Sequence, residues 1–421
     1  MNSIKRFLAV LLTMCTLTVS VPLVLAADDS MSGKCGDHVF WFYDEKADEL
    51  TISGSGRMWD FYDDEIYDLP YQSFVESTTS IRVLDGVTSI GANAFFAFQN
   101  MTQIDLPDSL KEIGDSAFVN CDALESITIP DGVTKLGNGV FFGGSWGNGL
   151  KSVVIGNGLT EIPQGTFARC FSLESVHLGN HIKTIERNAF FHCSKLKAIN
   201  FPDSLVEIAE EAFIQCYSLE VVALGKNFKN IDGFASCGVK EVFVSNQANS
   251  IEPWAFVDCY DLCRVDLGTG IQVIKEGAFS IMDYSPEEDV MIEVTIPESV
   301  QRIEAYAFSG RRHLKMITVK NPDCVFSESE ESQENTIVGD NTTICGYVGS
   351  TAQAYAEKYG LDFVQLLDQS GSQTEEQTGN QQEGLETIDK NLFEKLIEWI
   401  RACLLQFFQA FSRQKQDISK D

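Results

Sequence analysis

Residues 124–141 read LESITIPDGVTKLGNGVF, and the same pattern returns as LESVHLGNHIKTIERNAF at 173–190 and LKAINFPDSLVEIAEEAF at 196–213. Aligned on the closing phenylalanine, the chain yields Phe95, Phe118, Phe141, Phe167, Phe190, Phe213, Phe234, Phe256, Phe279 and Phe308, most often 23 residues apart. Self-similarity at such a period marks a stack of supersecondary units. One unit buries too little apolar surface to stand alone, so neighbours must share a core and pair strands.

Each position of the template L-x-x-I-x-I-[PG]-[DN]-x-V-x-x-I-x-x-x-A-F-x-x-C has a physical task. Ile127 and Ile129 alternate inward around an exposed Thr128, the period of a strand. Pro130 offers no N–H to a ladder and stops that strand. Gly156, Gly179, Gly225 and Gly268 take its place in other units, where tolerance of positive φ turns the chain. Asp131, Asn157 and Asn180 suit the turn through side-chain bonds to nearby backbone. Val133 and Leu136 point back inside, and the Ala-Phe pair is expected to close the coil within a short helical turn. About eleven coils at ~4.8 Å per strand spacing give a solenoid roughly 50 Å long.

The cysteines fall into the same register. Cys121, Cys170, Cys193, Cys216, Cys237 and Cys259 each follow a repeat phenylalanine by three residues. Phe98, Gly144, Met282 and Arg311 hold that place elsewhere, replacements that a disulfide or metal ladder would not tolerate. The column therefore reads as core packing. Cys35, Cys263, Cys324 and Cys345 stand outside it, and the sequence leaves open how they pair.

These repeats resemble the BspA-like, or Treponema-type, leucine-rich-repeat family of bacterial surface proteins. The resemblance runs through residues 78–320 and into the flanks. KCGDHVFWFYDEKADELTISGSGRMWDF is similar to the capping module that precedes such repeats in secreted proteins of Gram-positive bacteria, and ICGYVGSTAQAYAEKYGLDFVQL to the unit that ends them. The resemblance implies a right-handed leucine-rich-repeat solenoid with a parallel β-sheet on the concave face and short helical turns or short strands on the convex side. It also implies extracellular placement and protein binding, host matrix proteins included in some members, with no conserved catalytic site.

The organisation follows. Lys5 and Arg6 precede an uncharged run from Phe7 to Leu25, and Val24-Leu25-Ala26 offers small residues for cleavage, so residues 1–26 read as a signal peptide. Residues 27–77 form the N-terminal β capping module, 78–320 the repeats and 321–367 the C-terminal repeat cap. A flexible linker occupies 368–387, rich in Gly and Gln. In 388–415, Leu392, Leu396, Trp399, Ile400, Cys403, Phe407 and Phe411 recur at three- and four-residue spacing, the pattern of an amphipathic α-helix. Its charges interrupt the apolar face too often for a membrane span; it can lie on a membrane surface, pair with another copy or fold back onto the solenoid, and the long tether favours the first two.

A formal net charge of −30 repels phosphate backbones and argues against nucleic acid as a partner. The five histidines form no H-E-x-x-H or Cys-His spacing, no G-x-S-x-G elbow occurs, and the acidic run from Ser327 to Glu334 lacks the pattern of a calcium loop. No catalysis, metal or cofactor is expected. The candidate binding surface is the concave face, built from the outward strand positions Val154, His177, Asn200, Val221, Ala223, Phe243 and Asp266. Phe243, among small residues, is a candidate anchor, the competing reading being an ordinary cross-strand contact. Alternating Glu125, Lys151, Glu174, Lys197, Glu220 and Lys240 predict a lateral charge ladder that controls register. Two insertions, GGSWGNG and SIMDYSPEEDVM, break the period, and the coil ending at Phe234 is two residues short. The expected function is a secreted or cell-surface scaffold that binds an extracellular protein or glycan. The rival is a structural element of the cell envelope, anchored or self-assembled through the C-terminal helix.

Overall fold

The computed structural model describes residues 31–62, 69–282, 290–327, 329 and 336–367. Each coil carries a strand of two to four residues, a turn, a second strand of two residues (four at Val87–Ile90) and a tight turn that bears the repeat phenylalanine. Strands stack in parallel and in register. Ser152–Ile155 pairs with Ser126–Ile129 on one side and, through Val154, with Ser175–His177 on the other. The short strands do the same, Glu112–Ile113 pairing with Lys135–Leu136 and Glu161–Ile162 with Thr184–Ile185. Inward isoleucines, leucines and valines from both strand sets are buried in one continuous core.

The phenylalanines form the axis of that core. From Phe95 to Phe308 the rings are fully buried, with consecutive centroids 4.9 to 5.5 Å apart. The spacing is 5.2 Å between Phe213 and Phe234, where two residues are missing, and 5.3 Å between Phe279 and Phe308, where six are added. Changes of length are thus excluded from the column and absorbed elsewhere. In sequence, both insertions fall between a column phenylalanine and the next coil's first strand.

The backbone around the phenylalanine departs from the expected helical turn. Residues two before and two after it adopt positive φ in coil after coil, as at Asn93, Ser116, Asn188, Glu211, Trp254 and Tyr306 before it and Ala97, Asn120, Arg169, His192, Gln215, Ser236 and Asp258 after it. This alternation turns every second peptide group along the solenoid axis. Asn93, Phe95 and Ala97 donate their N–H groups to the carbonyls of Asp115, Ala117 and Val119 in the next coil, at 2.9 Å each. Ser116 and Phe118 donate onward to Asn138 and Val140. The strain of left-handed side-chain-bearing residues, ~1–2 kcal/mol each, is offset by hydrogen bonds that a helix closed on itself would not make to its neighbour.

The cysteine column completes the same network. Each buried thiol donates to the carbonyl of a phenylalanine in the preceding coil: Cys121 to Phe95 at 3.2 Å, Cys193 to Phe167 at 3.1 Å and Cys237 to Phe213 at 2.9 Å, with Cys170, Cys216 and Cys259 alike. The column is therefore polar as well as space-filling. Where it ends, the buried Arg311 takes the place of a thiol, its Nε donating to the Phe279 carbonyl and an Nη to that of Cys259. All cysteines among the described residues are free, and only Cys263 is exposed.

Glycine at the strand end acts differently from expectation at three of four positions. Gly268 alone has positive φ, at 59°. At Gly156 and Gly179 the preceding coil lies so close that a Cβ would sit 2.6 and 2.3 Å from its backbone, so close approach is what requires glycine there.

Both ends are sealed. Antiparallel Ser32–Lys34, Val39–Asp44 and Glu49–Gly54 lead into a parallel pairing of Glu49–Gly54 with Ser80–Val83, so the N-terminal module continues the repeat sheet. The buried Tyr71 hydroxyl donates to the Ala94 carbonyl at 2.7 Å, and the Phe61 N–H to that of Ala92 at 3.0 Å, closing two orphaned acceptors of the first coil. At the other end a helix, Thr351–Tyr359, is capped by Ser350 and by Gly360 at φ 67°. Phe363–Gln365 then adds the last parallel strand. The amphipathic pattern of 388–415 and the leader of 1–26 lie outside the described residues. No helix among the described residues is long and apolar enough to cross a membrane.

The two-residue deletion leaves Asp232 partly buried beside Glu252 and Glu210. Desolvation, with repulsion from those carboxylates, raises its pKa to about 6. In the folded chain it holds its proton up to that pH, whereas unfolded it releases it near 4, so stability should fall as pH rises between these values. Asp232→Asn is expected to flatten the denaturation midpoint over that window and to stabilise at pH 7 by on the order of 1 kcal/mol, after allowance for partial exposure. Ala97→Gly removes a left-handed Cβ, at φ 63°, with no loss of side-chain contact beyond a methyl; it should raise the unfolding free energy by about 0.5–1 kcal/mol in urea titration. Burial pushes the Cys170 thiol up to about 12 and the other column thiols above their usual range. Alkylation of the native protein followed by peptide mapping is therefore expected to label Cys263 and spare the column. Labelling of Cys193 without unfolding would contradict this packing.

Candidate binding face

The first strands of successive coils place alternate side chains outward in a row. Thr128, Val154 and His177 are neighbours across three strands, and Ala223, Phe243 and Asp266 across three more. The two groups belong to different sheets, because the ladder breaks after Ala198–Ile199. The expected face is therefore two facets.

Within the first facet the Asn200 side chain joins its strand to the coil before it. Its Oδ1 accepts the Leu178 N–H at 2.7 Å and its Nδ2 donates to the Leu178 carbonyl at 3.0 Å. As a ligand contact Asn200 is thus corrected: its amide is spent on the scaffold. Phe243 is corrected too. It lies in the outward register but is only 3% exposed. The Arg264 guanidinium, 5.1 Å from the ring centroid, covers it from the next strand and reaches Glu241 at 3.9 Å. The exposed anchor inferred from small neighbours is a roofed cross-strand contact, because the neighbour on its far side is an arginine.

Val154, His177 and Ala223 are half-buried, and Val221 and Asp266 are exposed. Asp266 also accepts the Gly268 N–H at 3.0 Å, fixing the turn below it. Burial lowers the His177 pKa, so at neutral pH it presents an uncharged imidazole edge. Beside the row, charges pair two by two, each lysine reaching the glutamate one coil nearer the N-terminus: Lys151 to Glu125, Lys197 to Glu174 at 3.8 Å and Lys240 to Glu220 at 2.7 Å. Among the described residues no group of three or more His, Cys, Asp or Glu is arranged to hold a metal ion.

One cluster escaped the sequence reading. Phe171 and His192 meet edge to face at 4.8 Å, and His192 and Tyr217 at 6.1 Å, on the corner where GGSWGNG is inserted. The only signal in the sequence was that insertion; Phe171 and Tyr217 share a template position four after the column phenylalanine, and His192 comes from another, two after it, where φ is positive.

The description of the BspA type leucine rich repeat region, in six copies, matches overlapping stretches that together run from 65 to 346, more than half of the chain. No curated protein matches it. Among solved structures, the chain is similar to a leucine-rich repeat protein from Bacteroides ovatus at 18% identity and a TM-score of 0.47, covering 79% of this chain and 99% of that one. It is similar to a leucine rich cell surface protein from Faecalibacterium prausnitzii at 22% and 0.40, covering 79% and 98%. It is similar to the pneumococcal vaccine antigen PcpA at 16% and 0.41, covering 80% and 100%. With its repeats in register over these residues, the chain belongs to the BspA-type leucine-rich-repeat family and is a solenoid scaffold.

Proposed function

We propose that this scaffold is exported and binds an extracellular protein through the outward positions of its first strands. The observation that carries the reading is the contrast between the two sides of each strand. Inward positions repeat the same few aliphatic residues, while outward positions run through Thr128, Val154, His177 and Ala223 on a backbone held in strict register. A rigid face whose side chains vary while its frame does not is what a recognition surface requires. Export is supported by the leader-like residues 1–26 and by the family, whose members resemble bacterial surface proteins. The absence of clustered acid, base and nucleophile in the sequence supports binding over catalysis. In this reading residues 388–415 give a second attachment, to a membrane surface or to another copy.

Solid-phase binding of the full chain to a panel of purified matrix proteins tests the face. Val154→Glu with Val221→Glu changes both facets at outward positions without touching the core. A matrix protein bound by the parent should be bound at least tenfold more weakly by this variant. Equal binding by parent and variant would remove the strand face from the candidate surfaces.

A further inference from the structure

The corner between the phenylalanine column and the first strands carries a row of aromatic side chains across four successive coils: Trp146, Phe171, His192 and Tyr217. Trp146 is 93% exposed, the most exposed large apolar side chain among the described residues. Its presentation is built. Two residues on, Asn148 is buried, its Nδ2 donating to the Phe141 carbonyl at 2.9 Å and its Oδ1 accepting the Leu150 N–H at 3.3 Å. Gly147, at φ 82°, lies against the Phe171 ring so closely that a Cβ would meet it at 2.5 Å. Arg169 adds a contact to the Gly144 carbonyl at 3.4 Å. The inserted loop is thus pinned at both sides of the tryptophan that it displays.

The composition of the corner identifies the chemistry. Segments 143–149, 167–172, 190–195 and 213–218 contain no Asp or Glu, in a chain that has 61 of them. They contain Arg169, Lys195, Gln215 and four serines, Ser145, Ser172, Ser194 and Ser218. This corner offers two exposed rings, Trp146 and Tyr217, and two half-buried ones, Phe171 and His192, with a rim of hydroxyl, amide and cationic donors. A pyranose has the complementary build: an apolar C–H face for a ring and hydroxyls at its edge for a polar rim. The coils advance by 5.3, 5.2 and 4.9 Å at their phenylalanines, a step comparable to the length of one sugar unit.

We infer that the Trp146–Phe171–His192–Tyr217 corner is a carbohydrate-binding shelf, laid along the solenoid axis so that a glycan chain meets one aromatic side chain per coil. The inference rests on the reading of the chain as an extracellular binding scaffold, but it assigns a different surface and a different ligand class from the strand face.

Affinity electrophoresis of the full chain in native gels holding dissolved β-glucan, xylan, mannan or polygalacturonate tests it. Retardation is expected in at least one, with the acidic and neutral polymers distinguishing whether Arg169 and Lys195 select a uronic acid. Trp146→Ala and Tyr217→Ala should weaken retardation about tenfold or more. As the Trp146 side chain is almost wholly exposed, its variant should keep the parent's thermal midpoint. The strand-face variant Val154→Glu/Val221→Glu should be retarded like the parent, which keeps failure of the shelf distinct from failure of the strand face. No retardation by any polymer, retardation unchanged in Trp146→Ala, or binding of a proline-rich peptide in place of sugar would overturn the assignment.

Discussion

The structure depends on one repeated interaction, the hydrogen bond from the column phenylalanine's N–H to the carbonyl just before the column phenylalanine of the next coil. It fixes the coil rise near 5 Å, and the ring stack, the strand register and the thiol contacts all follow from that rise. Only a backbone that alternates between right- and left-handed conformations can turn consecutive peptide groups to serve it. The insertions and the deletion leave this bond in place, as between Phe213 and Gly233, where two residues have gone from the coil. The deletion falls between Ile231 and Phe234, beside the acceptor Gly233, and the bond survives it.

The sequence revealed what repeats and concealed what depends on a single neighbour. Alternating Ile127 and Ile129 announced a strand, and the stacked pairing with Val153 and Ile155 agrees. The left-handed residues were not legible, because Asn93, Glu211, Trp254 and Tyr306 share no chemistry; the next coil's carbonyl selects the conformation there, and the side chain does not. The cysteine column was correctly taken for core, yet its second task, satisfying a phenylalanine carbonyl, needs a distance between coils that periodicity does not contain. Phe243 shows the same limit on the surface. Its exposure depended on Arg264, a residue 21 positions on, whose side chain could as well have pointed to solvent.

The division of surfaces follows from the frame. The first strands share one direction but form successive sheets, the ladder breaking after Ala198–Ile199 among other places. The insertion corner has no ladder to maintain, so it accepts added residues and displays rings that the strand face would have to bury. A scaffold with one strict side and one permissive side can hold two kinds of ligand without compromise to the core.

The capping of the first coil by Tyr71 has an electrical meaning as well. Along the column every axial peptide points its carbonyl towards the N-terminal cap and its N–H towards the C-terminal end, and these dipoles add, as they do along a helix. Parallel strands, whose peptides alternate, cancel theirs. The solenoid is therefore a polar rod, negative at the end where Tyr71 and Phe61 supply protons to the last bare carbonyls and positive where Tyr306 and Phe308 give theirs to Thr336 and Ile337. The direction of the chain is written into its field, beneath a surface whose net charge is negative.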